Sequence, residues 1–168
     1  MAKLNMVVLE GPDGGGKTTL AELLCSTLGY EHIRSEGPEK HPGEIDERIE
    51  RYFYEYGIRH NVLFDRHPCI SQLAYSLIHT QTAPSDRLIR RFYADRPLII
   101  YCRPDPLTVT HTSTGAWDTP DYIKKVDENY SLLLEWYDAW AVNKAHYIYR
   151  IGESVKPIED LIKTWRKL

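Results

Sequence analysis

Residues 11–18 read Gly11-Pro12-Asp13-Gly14-Gly15-Gly16-Lys17-Thr18 and fit the spacing G-x-x-x-x-G-K-[ST]. The chemistry suited to that spacing is the holding of a polyphosphate. Glycines let several backbone N–H groups converge on an anion, and a helix that starts there adds partial positive charge. Lys17 is then placed to reach β- and γ-phosphates, and Thr18 to ligate Mg²⁺. So short a pattern also arises by chance, and its flanks decide. Met6-Val7-Val8-Leu9 precedes it as the apolar run of a buried strand. Thr19-Leu20-Ala21-Glu22-Leu23-Leu24 follows with apolar residues at helical spacing, and Gly29 is placed as a stop. Strand, glycine loop and helix come in the order that the chemistry needs.

A second constellation is Asp65-Arg66, which closes the strand-like run Asn61-Val62-Leu63-Phe64. An acid at the carboxyl end of a strand can hold Mg²⁺ through water or take the proton from an attacking oxygen. The arginine beside it can neutralise charge on an acceptor or on a group in transfer. A surface ion pair at a strand end is the plain alternative. The phosphate-type loop on the same edge favours the chemical one.

The elements that must position these residues alternate along the chain. Strands are predicted over 4–9, 30–34, 61–65, 97–102 and 146–150. Helices are predicted over 17–28, 44–56, 68–81, 85–94, 119–141 and 157–167. In the helix 68–81 the inward positions are Ile70, Leu73, Ala74, Leu77 and Ile78. Thr119-Pro120 supplies an N-cap and a first-turn proline. Residues 104–118 are rich in Pro, Thr, Asp and Gly and read as a loop over a site. Alternation of this kind implies an α/β fold, a five-stranded parallel sheet covered by helices on both faces, with ligands at the carboxyl ends of the strands.

Composition narrows the classes further. At 168 residues the chain is about one domain. With 21 basic and 24 acidic residues the net charge is −3, which excludes a protein that grips nucleic acid by bulk charge. No run approaches membrane-spanning length, and Met1 to Asn5 lead straight into a strand, so a cytosolic protein is expected. Cys25, Cys69 and Cys102 are scattered and read as reduced thiols, and His67-Pro68-Cys69 does not make a metal site. The 12 tyrosines and 4 tryptophans are core by default, although Phe53, Tyr56 or Tyr75 could stack on a base.

Gly11 to Thr19, then Asp65-Arg66-His67, then Ser71-Gln72-Leu73-Ala74-Tyr75, resemble the thymidylate kinase family. The related deoxynucleoside kinases share the loop and an acid–arginine pair, and Asp65 to Ser71 is similar to small phage-encoded members. The resemblance is specific over 7–19 and 62–75 and covers the rest only as element order. It implies a three-layer P-loop kinase fold in a single domain, 1–168, with a lid near 104–120. It implies ATP and Mg²⁺ as cofactors, with residues 11–19 (Gly11, Asp13, Gly14, Gly15, Gly16, Lys17, Thr18 and Thr19) at the donor nucleotide. Asp13 would approach the acceptor sugar and phosphate. Asp65 would support the metal or act as base, and Arg66 would bind the acceptor phosphate. Ser71 and Tyr75 would line the acceptor pocket, with Arg34 in a looser match beside them. A homodimer is also implied, and a small nucleotide rather than nucleic acid or membrane as the partner.

The chain departs from that family in three ways. The stretch between the loop and Asp65 is short, and one extra residue separates Arg66 from Ser71. The loop carries Gly14-Gly15 where an arginine could stand, and residues 104–123 hold no arginine. Arg103, Lys124 and Lys125 are then the candidates for transition-state charge, with Arg103 first. The expected reaction is Mg²⁺-dependent transfer from ATP to a deoxynucleoside monophosphate, thymidylate or a modified pyrimidine analogue. A deoxynucleoside kinase and an ATP-binding protein without transfer are the alternatives.

Overall fold

A computed structural model describes residues 5–57, 61–105 and 119–168. Five strands form one sheet: β1 (Met6–Glu10), β2 (Glu31–Arg34), β3 (Val62–Asp65), β4 (Leu98–Cys102) and β5 (Tyr147–Tyr149). Their spatial order is β2-β3-β1-β4-β5, and every pairing is parallel. The expected α/β fold with a five-stranded parallel sheet is the one observed.

Alternation along the strands sorts the core into two layers. Val7, Leu9, Leu63, Leu98 and Ile100 face one side and pack with α1 (Lys17–Leu28) and α7 (Lys156–Trp165). Met6, Val8, Val62, Phe64 and Ile99 face the other. There they meet α2 (Glu44–Tyr56), α3 (Pro68–Tyr75), α4 (Asp86–Ala94), α5 (Pro120–Glu128) and α6 (Tyr130–Lys144). A strand buried on both faces needs apolar residues at every position, which is why these strands read as continuous apolar runs.

Register builds the working edge. Leu9 pairs with Asp65 across β1 and β3, and Arg34 pairs with Asp65 across β2 and β3. The ends of three strands therefore align where the glycine loop leaves β1. Crossovers run to both sides of β1, so that end is also a topological switch point.

Two helices differ from the expected spans. The helix 68–81 stops at Tyr75, and the next bonds, Leu77 N to Ala74 O and Ile78 N to Tyr75 O, span three residues. That tightening turns the chain early. Leu77, expected inward, is half exposed as a result. The helix 119–141 is two helices broken at Asn129, which leaves helical geometry (φ −118°, ψ 18°). Its side-chain Nδ2 donates to Lys125 O at 2.8 Å, a local bond that competes with the helical ladder. The Thr119 cap is as expected, with its hydroxyl accepting from Tyr122 N.

Among the described residues the three cysteines are free, and no helix is long and apolar enough to cross a membrane. No cluster of three or more His, Cys, Asp or Glu suited to a metal occurs among them. His67 instead caps α3 by accepting from Cys69 N, and Cys69 is fully buried.

Candidate active site

The glycine loop is shaped by its contact with the end of β4. A Cβ on Gly11 or on Gly15 would lie 2.3 Å from the Cys102 carbonyl oxygen, so neither position accepts a side chain. Gly16 then takes a left-handed conformation as the cap of α1. This is the physical reason for glycine at the spacing read from the sequence.

Lys17 is the first residue of α1, nearly buried, and its ammonium donates to Pro12 O at 2.7 Å. Burial, with the Arg66 charge nearby, pushes its pKa down to about 8. Thr18 Oγ1 donates to Asp65 Oδ2 at 2.7 Å. Two hard oxygens so close, on the pocket wall next to the phosphate-type loop, suit Mg²⁺. His32 Nε2 lies 3.6 Å from the same carboxylate oxygen.

Arg66 and Asp13 meet across the loop. Arg66 Nη2 donates to Asp13 Oδ1 at 2.6 Å, and Tyr75 Oη donates to Asp13 Oδ2 at 3.1 Å. The guanidinium also sits over the Tyr75 ring, 4.7 Å from its centroid. Tyr130 Oη holds the Asp13 backbone carbonyl from α6 at 2.7 Å. Arg66 takes φ 71°, a left-handed conformation that costs a non-glycine residue energy. Its N–H still bonds Leu9 O, so the turn that aims the side chain is tied to β1.

Glu10 was not legible as a site residue. It is the last residue of β1, with its carboxylate fully buried. It accepts from His67 N at 2.6 Å and from Tyr137 Oη at 3.1 Å. Burial pushes its pKa up to about 7, against the pull of Arg66, the His67 N–H and Lys17. The only sequence signal is a carboxylate ending an apolar run directly before Gly11. His67 beside it is buried among Phe64, Phe92 and Tyr52, and burial pushes its pKa down to about 3.

A cavity of about 520 Å³ opens between the loop and the far wall. It is lined by Asp13, Lys17, Thr18, Asp65 and Arg66 together with Ser71, Gln72, Tyr75, Gln81 and Tyr122. Arg34 lies on its rim, mostly exposed and paired with Glu22 at 2.9 Å. Gly14, Gly16 and Thr19 line the cavity too, and the Ser71 hydroxyl is turned back to His67 O. Phe53 and Tyr56 pack in the core layer.

Arg103 is directed elsewhere. Its Nε and Nη2 pair with Asp138 at 2.9 and 3.0 Å, which binds the end of β4 to α6. Lys124 lies 3.8 Å from Glu128 on the exposed face of α5. Of the lid expected near 104–120, residues 106–118 lie outside the described residues.

Comparison with known proteins bears on this geometry. The YorR protein of Bacillus subtilis, solved in complex with phosphorylated GDP, superposes with a TM-score of 0.66 over 97% of this chain and 96% of that one, at 22% identity. The chain has the P-loop kinase fold. Thymidylate kinase from Candida albicans matches the P-loop kinase fold more distantly, with a TM-score of 0.51, 15% identity and coverage of 99% and 92%. Residues 7–70, from β1 to the first turn of α3, match the family model of the ATPases associated with various cellular activities. A search of curated proteins finds no match.

Proposed function

We propose that the chain transfers the γ-phosphoryl group of ATP to the 5′-phosphate of a deoxynucleoside monophosphate, with thymidylate or a modified pyrimidine analogue as acceptor. The observation that carries this reading is Arg66, which lines the same cavity as Lys17 and is held there by Asp13 and Tyr75. A partly buried guanidinium there is a bidentate partner for a second phosphate, which a bare nucleoside does not bring.

In the reaction an oxygen of the acceptor phosphate bonds to the γ-phosphorus, the bond to the β-phosphate oxygen breaks, and ADP leaves. Lys17 holds the donor phosphates and spreads their charge, and Arg66 fixes the acceptor oxygen in line. Thr18 and Asp65 would hold Mg²⁺, which neutralises phosphate charge when bound. The backbone N–H groups of residues 14–18 orient the triphosphate. Closing the site excludes water and limits ATP hydrolysis.

Transfer to a 5′-hydroxyl is the second reading: Asp13 and Asp65 both line the cavity, and either carboxylate would serve to take its proton. Arg66 beside them favours an acceptor that brings a phosphate of its own. The test is transfer from γ-labelled ATP to thymidylate, other monophosphates and the matching nucleosides. Label in a diphosphate supports the proposal. Label only in monophosphates made from nucleosides, or only in free phosphate, overturns it.

A further inference from the structure

The turn that follows β3 is pinned by two successive residues at the end of β1. Arg66 N donates to Leu9 O at 3.0 Å, and His67 N donates to Glu10 Oε1 at 2.6 Å. One acceptor is a main-chain carbonyl. The other is a side chain wholly shut off from solvent. The second oxygen of that carboxylate accepts from Tyr137 Oη at 3.1 Å, so one buried group joins β1, the turn and α6. The two amides so held bound the φ and ψ of Arg66, the residue in the left-handed conformation. A non-glycine residue stays in such a conformation only where its surroundings over-determine it.

We propose that Glu10 is a positioning residue for the transfer: through its bond to His67 N it holds Arg66 in the one backbone conformation that presents the guanidinium to the acceptor phosphate. The inference rests on the acceptor proposed above. Glu10 is not among the residues that line the cavity, and it acts through Arg66. Residues 6–9 of β1 are all apolar, and a carboxylate closing that run costs desolvation. Without it His67 N would be buried and unpaired, which costs the desolvation of the donor instead. The same bond orients α3. His67 caps that helix, its carbonyl accepts from Ile70 N and Ser71 N, and Tyr75 lies on it under the Arg66 guanidinium.

The glycine loop is held by other contacts, from Lys17 to Pro12 O and from Tyr130 to Asp13 O. Loss of the Glu10 carboxylate should therefore disturb the acceptor side of the cavity and spare the donor side.

The test is steady-state kinetics of the whole chain with ATP and thymidylate, for Glu10→Met, Arg66→Ala and the two combined. Methionine fills the space and removes both acceptors. Glu10→Met is expected to raise the KM for thymidylate about tenfold and to leave that for ATP within about twofold. Added to Arg66→Ala it should raise the thymidylate KM by no more than about threefold, because the contact it serves is already gone. Glu10→Gln can accept from His67 N and donate to Tyr137 Oη, and should return the thymidylate KM to within about threefold of the unmodified protein. A purely structural Glu10 would lower the melting temperature of Glu10→Met while leaving both KM values alone or raising them together. Either result overturns the inference, as does a full tenfold effect of Glu10→Met on top of Arg66→Ala, or a Glu10→Gln protein that behaves like Glu10→Met. Should Glu10→Met not fold, Glu10→Asp, with its carboxylate drawn back by one methylene, decides: a rise in the thymidylate KM alone sustains the inference, and any other pattern overturns it. If the unmodified protein transfers nothing to thymidylate, or Arg66→Ala keeps the thymidylate KM, the acceptor proposed above falls and this inference with it. With those two results as expected, the outcome bears on Glu10 alone.

Discussion

Thr18 Oγ1 donates to Asp65 Oδ2 at 2.7 Å, so the first turn of α1 and the last residue of β3 meet across 47 positions of sequence. The contact joins the two constellations that carry the chemistry. Asp65→Asn keeps an acceptor for the Thr18 hydroxyl but removes the charge that a divalent cation needs. The melting temperature should stay nearly unchanged. The Mg²⁺ concentration giving half-maximal turnover should rise about tenfold or more, the scale of a lost metal-site interaction. Titration of activity with Mg²⁺ checks this, and an unchanged midpoint removes Asp65 from the metal.

Arg66 separates backbone from side chain. Its φ of 71° suits glycine, whereas alanine there pays the left-handed penalty of about 1 kcal/mol. Both Arg66→Gly and Arg66→Ala lose the Asp13 pair. The glycine variant should therefore be the more stable by about 1 kcal/mol in urea unfolding. Equal stability would mean that the turn relaxes when the side chain is gone.

Glu10 and His67 shape the pH dependence of stability in opposite senses. The folded pKa of Glu10 is raised from 4.5 to about 7, so the folded state holds a proton that the unfolded state releases. Its contribution is full below pH 4.5 and is lost as pH rises through about 7. His67 is lowered from 6.5 to about 3, so its contribution is full above pH 6.5 and is lost as pH falls through about 3. Between pH 4.5 and 6.5 the two slopes oppose. Glu10→Gln leaves the His67 slope alone, and the variant's melting temperature should climb with pH over that window more steeply than that of the unmodified protein. Parallel melting curves would place the Glu10 proton elsewhere.

Arg103 was the leading sequence candidate for transition-state charge, and the structure gives it to Asp138, which Tyr101 Oη also contacts at 2.8 Å. Arg103→Ala should then cost about 1 kcal/mol of stability and change turnover by less than about threefold. Denaturation and initial rates check the two halves separately. A large fall in kcat with stability intact would return the residue to catalysis.

Much of the site could be read locally. The glycine loop and Asp65-Arg66 declare themselves because strand, turn and side chain are neighbours in sequence. The alternation of elements likewise dictated the parallel sheet. What escaped depends on partners far away. Glu10 owes its meaning to Tyr137, 127 residues on, and to His67. The hydrogen bond from Gln72 Nε2 to Gln81 Oε1 exists only because α3 ends at Tyr75, and no glycine or proline marks that stop. The break at Asn129 comes from a side-chain bond that helical periodicity does not register.

The most direct measurement is steady-state kinetics of Arg66→Ala with ATP and thymidylate varied in turn. Loss of a charge-assisted contact of roughly 1.5–3 kcal/mol should raise the KM for thymidylate about tenfold or more. The KM for ATP should stay within about twofold. Equal rises for both nucleotides, or a change in ATP alone, would contradict an acceptor phosphate seated on Arg66.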